Sequence, residues 1–180
     1  MRKFLIGITV TNCVVLLATA LVFSAPILPL RSELPDPVQS LAGTRRLKLN
    51  IRPISGELAA HNITTRSVRH DWQSRLEAAG IEVVRDSDDD ATYVPTLDLA
   101  VIVGHDEGVS DSVMCIQVLK FIQPLQFERL GRALSVPTYF QPMATMERAP
   151  TLGNSVAGNL DELIVEFIEN ARKANGLLQP

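Results

Sequence analysis

TTRSVRHDWQSRLEAAGIEVV, residues 64–84, contains a helix that leads directly into a strand. Its apolar side chains recur at spacings of four, four and three residues, which places them on one stripe of a helix: Val68, Trp72, Leu76 and Ala79. Thr64 or Thr65 can cap the start of this helix, and Gly80 is a typical residue for its end. The apolar residues after Gly80 then predict a strand. This unit indicates a domain in which helices pack on a sheet.

Strands are predicted on both sides of this unit. RRLKLNIRP (45–53) alternates apolar and polar residues, which is typical of a strand with one solvent-exposed face. TLDLAVIVG (96–104) is apolar on both faces and predicts an interior strand. The apolar segments 112–129 and 133–143 predict two more strands, joined by a turn at Gly131. Pro124 predicts a bulge or a sheet edge.

The C-terminal segment predicts a loop followed by a helix. Residues 145–159 are rich in Gly, Pro, Ser and Asn, and Asn159 with Glu162 forms a capping-box pattern. Apolar residues then recur at helical spacing up to Gly176. The predicted order is strand, helix, four strands, helix. We therefore expect one α+β domain, with two helices on one face of a mostly antiparallel sheet.

Residues 1–25 predict a membrane-spanning or signal segment. Residues 4–25 carry no charge and, as a helix of about 33 Å, can cross a hydrocarbon core of roughly 30 Å. The small residues Ala18 and Ala20 also fit a signal-peptide cleavage site, which would leave Leu21 as the mature N-terminus. Residues 22–24 form a second, tolerable site that would leave Ala25 as the mature N-terminus. The segment is therefore a signal-anchor or a cleaved signal peptide, and we expect it to be retained in membrane lipid.

The charges beside this segment predict its orientation. Arg2 and Lys3 precede it, so the positive-inside rule keeps the N-terminus in the cytoplasm and exports the rest. We expect a bacterial inner-membrane protein with a single pass, a Pro-rich stalk at 26–44 and a periplasmic domain at 45–180. The alternative is a soluble periplasmic or secreted protein after cleavage. Cys13 lies within the apolar run and does not occupy a lipoprotein cleavage position.

The composition of the exported part excludes a typical nucleic-acid binder. Without Arg2 and Lys3 the chain carries 15 Lys and Arg against 20 Asp and Glu, a net charge of −5. Its single cysteine, Cys115, cannot form an intramolecular disulfide, so the apolar core must stabilise the domain. We interpret Cys115 as a small buried side chain.

An acidic segment has part of a calcium-loop pattern. Asp86, Asp88 and Asp90 stand at positions one, three and five of an EF-hand-like loop. Ala91 and Leu97 occupy the positions that need a glycine and a bidentate carboxylate, so we predict a solvated turn. Weak calcium binding at the three aspartates remains an open alternative.

The histidines do not form a recognisable catalytic or metal motif. His61, His70 and His105 are not spaced as zinc ligands, and HExxH, GxSxG, Walker and GxGxxG motifs are absent from the sequence. In the segment GHDEG, His105 with Asp106 or Glu107 could form an acid–base pair. No nucleophile is identifiable nearby, so we predict a turn. We predict no catalytic, cofactor-binding or metal-binding residue and no cofactor.

Several segments together resemble a group of uncharacterised exported bacterial α+β proteins. They are RRLKLNIRPIS, RLEAAGIEVV, TLDLAVIVG, CIQVLKFIQPLQFER, VPTYF and VEFIENARKAN. The layout is more loosely similar to envelope accessory domains, namely the lipopolysaccharide-transport lipoprotein and the amino-terminal domain of the Tol-system propeller protein. The resemblance implies a helper or assembly role. The lipoprotein cysteine is a point of departure, since this chain lacks it.

These observations favour a non-enzymatic, membrane-anchored periplasmic accessory or assembly protein. Its domain would be presented to an envelope protein partner that the sequence does not identify. Two alternatives stay open. One is a periplasmic module that binds a small ligand or lipid between the sheet and the helices. The other is a hydrolase-like enzyme centred on His105.

Overall fold

The computed structural model describes residues 34–85, 93–105 and 112–176. Several predictions lie outside these residues: the signal or anchor segment 1–25, stalk residues 26–33, the aspartates at 86, 88 and 90, and Asp106 and Glu107. Within the described ranges, no helix is long and apolar enough to cross a membrane.

The described residues form an α+β domain, which confirms the predicted class and the predicted order of the main elements. In chain order they are α1 (Asp36–Gln39), β1 (Arg46–Ile51), a 3₁₀ helix (Gly56–His61), α2 (Thr65–Ala78), β2 (Glu82–Val84), β3 (Thr96–His105), β4 (Ser112–Phe127), a 3₁₀ turn (Glu128–Leu130), β5 (Arg132–Arg148) and α3 (Ala149–Gly176).

The five strands form one mixed sheet in the order β2-β1-β3-β4-β5. β1 runs parallel to both β2 and β3, whereas β4 is antiparallel to β3 and to β5. The sheet is therefore mixed: the two antiparallel pairings contain most of the paired residues, and the two parallel pairings are a correction to the predicted sheet. The reason is that α2 crosses back over the sheet between β1 and β2, and a helical crossover returns the next strand in the same direction.

The helices α2 and α3 pack on one face of the sheet, as predicted, and enclose a single apolar core. Thr64 caps α2 by accepting a hydrogen bond from the Ser67 amide, and Gly80 after the helix has a φ of +83°. Trp72 of α2 and Phe167 of α3 are both buried, which confirms the predicted helix faces. Phe167 packs between two aromatic rings. Its ring centroid is 5.7 Å from that of Phe121 and 6.0 Å from that of Tyr139.

The last helix begins eleven residues earlier than predicted, since a cap at Asn159 would place the first helical residue at 160. α3 starts at Ala149, so residues 149–158 are helical and the predicted loop is wrong. Pro150 lies in the first turn, where its missing N–H has no helical partner to lose. Asn159, the predicted cap, lies inside the helix and points to the sheet, where it donates to Thr145 Oγ1 at 2.7 Å. In the sequence alone, an asparagine that caps a helix cannot be distinguished from one that bonds to a neighbouring strand.

The folded domain also begins earlier than residue 45. α1 contains Pro37 in its first turn, and Leu41 is fully buried in the core. The Gly43 amide donates to Asn175 Oδ1 at 2.7 Å, which attaches this segment to the end of α3. Residues 34–44 are thus part of the domain and not of a stalk. Prolines in a first helical turn and in an extended stalk look alike in sequence.

β4 and β5 continue past the rest of the sheet as a two-stranded hairpin. Ile122 is the last β4 residue that pairs with β3, and residues 123–127 pair with β5 alone. The register shifts between Phe121 and Ile122, close to the bulge predicted at Pro124. Pro124 lies in the overhang, where one side of β4 has no neighbouring strand among the described residues, and such an edge is a position in a sheet that tolerates proline.

Candidate functional site

His105 lies at the end of β3 and contacts a carboxylate from a distant part of the chain. Its Nε2 is 2.9 Å from Glu57 Oε2, and both side chains are more than half exposed. The predicted partners Asp106 and Glu107 lie outside the described residues. An exposed imidazole beside an exposed carboxylate is an ordinary surface pair, and its electrostatic contribution is small.

Cys115 is fully buried in the core, which agrees with the predicted burial. Burial raises the pKa of its thiol to about 11, and the opposing effect of the hydrogen bond from Gln117 Nε2 to Sγ (3.1 Å) is smaller. The thiol therefore stays protonated and is a poor nucleophile at neutral pH.

Gln117 extends this polar contact to the helix layer. Its side chain is fully buried, and its Oε1 accepts a hydrogen bond from Asn159 Nδ2 at 3.2 Å. Asn159 also bonds to Thr145, so the chain of contacts links β4, β5 and α3. Because both amide groups have partners within the domain, the contacts orient α3 on the sheet.

A groove with a volume of about 250 Å³ lies between α2 and α3. His61 lies at one end of it and packs directly on the backbone at Gly153. Arg75 bridges the two helices and pairs with Asp71 at 3.0 Å and with Asp161 at 2.5 Å. The groove is slightly smaller than typical ligand pockets, and its arginine is already paired with two aspartates. The remaining histidine, at position 70, lies on α2 and is exposed.

The face of the sheet opposite the helices is apolar and exposed. We call this surface the open face; it consists of Ala100, Ile102, Met114, Ile116, Val118, Phe140, Pro142, Ala144 and Met146. Ile102 is 56% exposed, Phe140 57% and Met146 66%. No helix among the described residues packs on it, because α2 and α3 both contact the other face.

Basic side chains surround the open face. Lys120 extends over the Phe140 ring, with its Nζ 5.9 Å from the ring centroid. Arg148 is two residues beyond Met146 on the same side of β5, and Arg52 directly follows β1. Two acidic residues lie on this side. Asp98 is buried and accepts hydrogen bonds from Arg52 Nη2 at 2.9 Å and from Asn50 Nδ2 at 2.5 Å, and the exposed Glu82 pairs with Arg46 at 3.0 Å. Among the residues that the structure describes on this side, basic side chains therefore outnumber acidic ones.

Sequence reasoning missed the open face, although a signal for it was present. The pattern of β3, apolar on both faces, correctly predicted an interior strand. Such a pattern also suggests cover on both faces, whereas the described residues provide cover on one face only. Within these residues, no group of three or more His, Cys, Asp or Glu side chains is arranged to hold a metal ion.

Comparison with protein-family models gives no match, and no curated protein matches the chain in sequence. Among solved structures, the chain is similar to a minor lipoprotein from Acinetobacter baumannii, at 14% identity, a TM-score of 0.30, and coverage of 76% of this chain and 89% of that one. It is also similar to the rare lipoprotein B from Shewanella oneidensis, at 15% identity and a TM-score of 0.32. This match covers 74% of the present chain and 95% of the Shewanella chain. Likeness at this level does not establish a shared function.

Proposed function

We propose that the protein is a non-enzymatic accessory protein of the bacterial envelope, which binds a partner protein through the open face. Residues 4–25 hold it in the inner membrane, and its domain lies in the periplasm. The proposal combines the exported orientation expected from Arg2 and Lys3 with the surface chemistry of the domain.

The observation that carries the proposal is the exposure of Ile102, Phe140 and Met146 on one continuous sheet surface. Monomeric proteins seldom expose large contiguous apolar patches, and such patches commonly mark interaction sites. Aromatic residues and methionine are enriched in protein interfaces. A basic surround favours a partner whose contact surface is apolar at its centre and acidic at its rim.

The two alternative functions have less support from the geometry. An enzyme centred on His105 would need a group to activate, and the described contact of that histidine is the exposed carboxylate of Glu57. A ligand-binding module is expected to use a groove between the sheet and the helices, but buried apolar side chains fill that space, and the groove described above lies between α2 and α3 instead. That groove is open and small, and Arg75 is already paired across it.

Site-specific photo-crosslinking in the producing bacterium tests the proposal. A photoreactive phenylalanine analogue replaces Phe140 or Met146 on the open face, and Val165 serves as the matched control because it is an exposed apolar residue on α3. We expect the two open-face positions to give the same crosslinked partner, and Val165 to give none. Crosslinks to a second copy of the chain, to lipid alone, or equally from all three positions would contradict the proposal.

Charge substitution tests the same surface independently. Ile102→Glu combined with Met146→Glu should abolish the crosslink from Phe140, because two carboxylates cannot be desolvated against an apolar partner without a large penalty. Val165→Glu is the control and should leave the crosslink unchanged. All variants should unfold at nearly the wild-type temperature, since the substituted side chains are exposed. A persistent crosslink in the doubly substituted protein would refute the assignment of the open face.

A further inference from the structure

The end of the domain where the chain enters also carries the protruding hairpin. Gln123 Nε2 donates to the Ser40 carbonyl at 3.0 Å, and Ser40 Oγ is 3.4 Å from the Thr138 carbonyl oxygen. The segment that follows α1 therefore packs beside the base of the hairpin. The described residues begin at Leu34, shortly before this contact.

Large apolar side chains are exposed at the end of this hairpin. We call residues 125–134 the tip; there Leu125 and Phe127 are each 38% exposed and Leu130 is 55% exposed. These three residues lie beyond the part of β4 that pairs with β3, and they are not part of the open face. Nothing in the described ranges covers these side chains on the protrusion.

The tip also carries a positive charge, although the exported part of the chain is acidic. Arg129 and Arg132 are both exposed, and Glu128 is the acidic residue between β4 and β5. Apolar side chains next to arginine are suited to the boundary between lipid headgroups and acyl chains, because the apolar groups leave water while the guanidinium groups meet anionic phosphates.

The chain length allows the tip to reach the membrane that holds residues 4–25. From residue 25 to Leu34 the backbone can span at most about 30 Å. The overhang from Gln123 to Phe127 is about 17 Å long. This maximum span exceeds the length of the overhang, so the chain length alone does not prevent the tip from touching the bilayer.

From these observations we propose that the tip is a second membrane contact, in which Phe127 and Leu130 enter the headgroup region of an anionic bilayer and Arg129 and Arg132 bind its phosphates. The inference rests on the membrane anchor in the proposed function, but not on the open face. The occupant is a lipid surface, and a protein bound at the tip is an outcome of the test.

Fluorescence quenching by brominated lipids tests this contact in the full-length protein reconstituted in vesicles. Phe127→Trp places a tryptophan on the tip, which we call the tip reporter. Met146→Trp places another at an exposed position about 45 Å away along the strands, which we call the control reporter. The native Trp72 is buried and contributes equally to both proteins. We expect vesicles that contain brominated anionic lipid to quench the tip reporter and to leave the control reporter nearly unchanged.

Charge removal at the tip gives a second measurement. Arg129→Gln with Arg132→Gln should shift the docked-to-free equilibrium of the tip by about 25-fold, since each basic residue near an anionic surface contributes about fivefold. Replacing the anionic lipid by a zwitterionic one should have a similar effect. Equal quenching of the tip and control reporters would overturn the proposal. The proposal would also be overturned if neither charge removal nor zwitterionic lipid reduced the quenching of the tip reporter. A bound protein that shields the tip reporter from the lipid would overturn it as well.

The intact mass of the purified protein separates this result from the anchor itself. A mass that includes residues 1–25 shows that the anchor is retained, and the quenching experiment then reports on the tip alone. A mature N-terminus at Leu21 or Ala25 refutes the anchor, and with it the tethered second contact. The crosslinking at the open face is unaffected by either result.

Discussion

At the scale of single residues, His61 and Gly153 illustrate a contact that only the tertiary structure shows. A Cβ atom at position 153 would overlap the His61 ring, whereas a Cβ at Gly158 meets open space. Both glycines lie inside α3, where alanine is otherwise the better helix former by about 0.5–1 kcal/mol. The same substitution should therefore have opposite signs at the two positions.

We predict that Gly153→Ala lowers the free energy of unfolding by about 1–3 kcal/mol, because it overpacks the contact with His61. Gly158→Ala should raise it by about 0.5–1 kcal/mol. In a His61→Ala background, Gly153→Ala should become stabilising as well. Denaturant unfolding of these proteins measures the differences. If Gly153→Ala changes the free energy of unfolding equally with and without the His61 side chain, His61 does not pack on Gly153.

Glu147 provides a prediction about pH. Hydrogen bonds from Thr151 Oγ1 (2.8 Å) and Ser155 Oγ (3.0 Å) lower the pKa of its carboxyl below the ordinary value of 4.5. A carboxyl with a depressed pKa stabilises the fold above pH 4.5, and this contribution is lost as the pH falls through the folded-state pKa. Acid should therefore weaken the start of α3.

Thr151→Val combined with Ser155→Ala should return the pKa of Glu147 toward 4.5, which an NMR titration of its side chain can follow. Asn154→Ala, at an exposed neighbouring position, is the control and should leave the pKa unchanged. An unchanged Glu147 titration in the double variant would show that the two hydroxyl groups do not lower its pKa.

At the scale of elements, the two long helices depend on single large side chains for their attachment to the sheet. Trp72→Ala and Phe167→Ala should each cost about 3–5 kcal/mol, because both side chains are fully buried and each deletion leaves a large cavity. Phe140→Ala removes an exposed aromatic ring and should change the stability by about 0.5 kcal/mol or less. Thermal unfolding distinguishes the two classes. Equal melting of all three variants would show that the helix faces are misassigned.

At the scale of the whole molecule, the first boundary of the folded domain can be tested by limited proteolysis. Since Leu41 is buried and Gly43 is bonded to Asn175, segment 36–44 should resist cleavage. We predict that the stable fragment begins at or before residue 36, and that a fragment starting at Arg45 is less stable by the loss of Leu41, about 2–5 kcal/mol. Mass spectrometry of the digest checks this. A first cut between Leu41 and Arg45 would restore the sequence-based boundary.

The sequence by itself determined the main strands and helices and their order, because periodicity, caps and turn residues are local properties. Residues 64–84 show this well: the stripe that includes Trp72, the cap at Thr64 and the end at Gly80 all agree with the structure. Burial of Cys115 was predictable for the same reason, since it lies in an apolar strand.

Only the tertiary structure decided which strands pair in parallel, where α3 begins and what covers the sheet. Asn159 could be a cap or a partner of Thr145, and its sequence neighbours do not distinguish these roles. Strand β3 is apolar on both faces, but a pattern within one strand carries no information about which other elements pack on it. The open face and the tip are defined by what does not pack on them among the described residues, and that is a property of the whole fold.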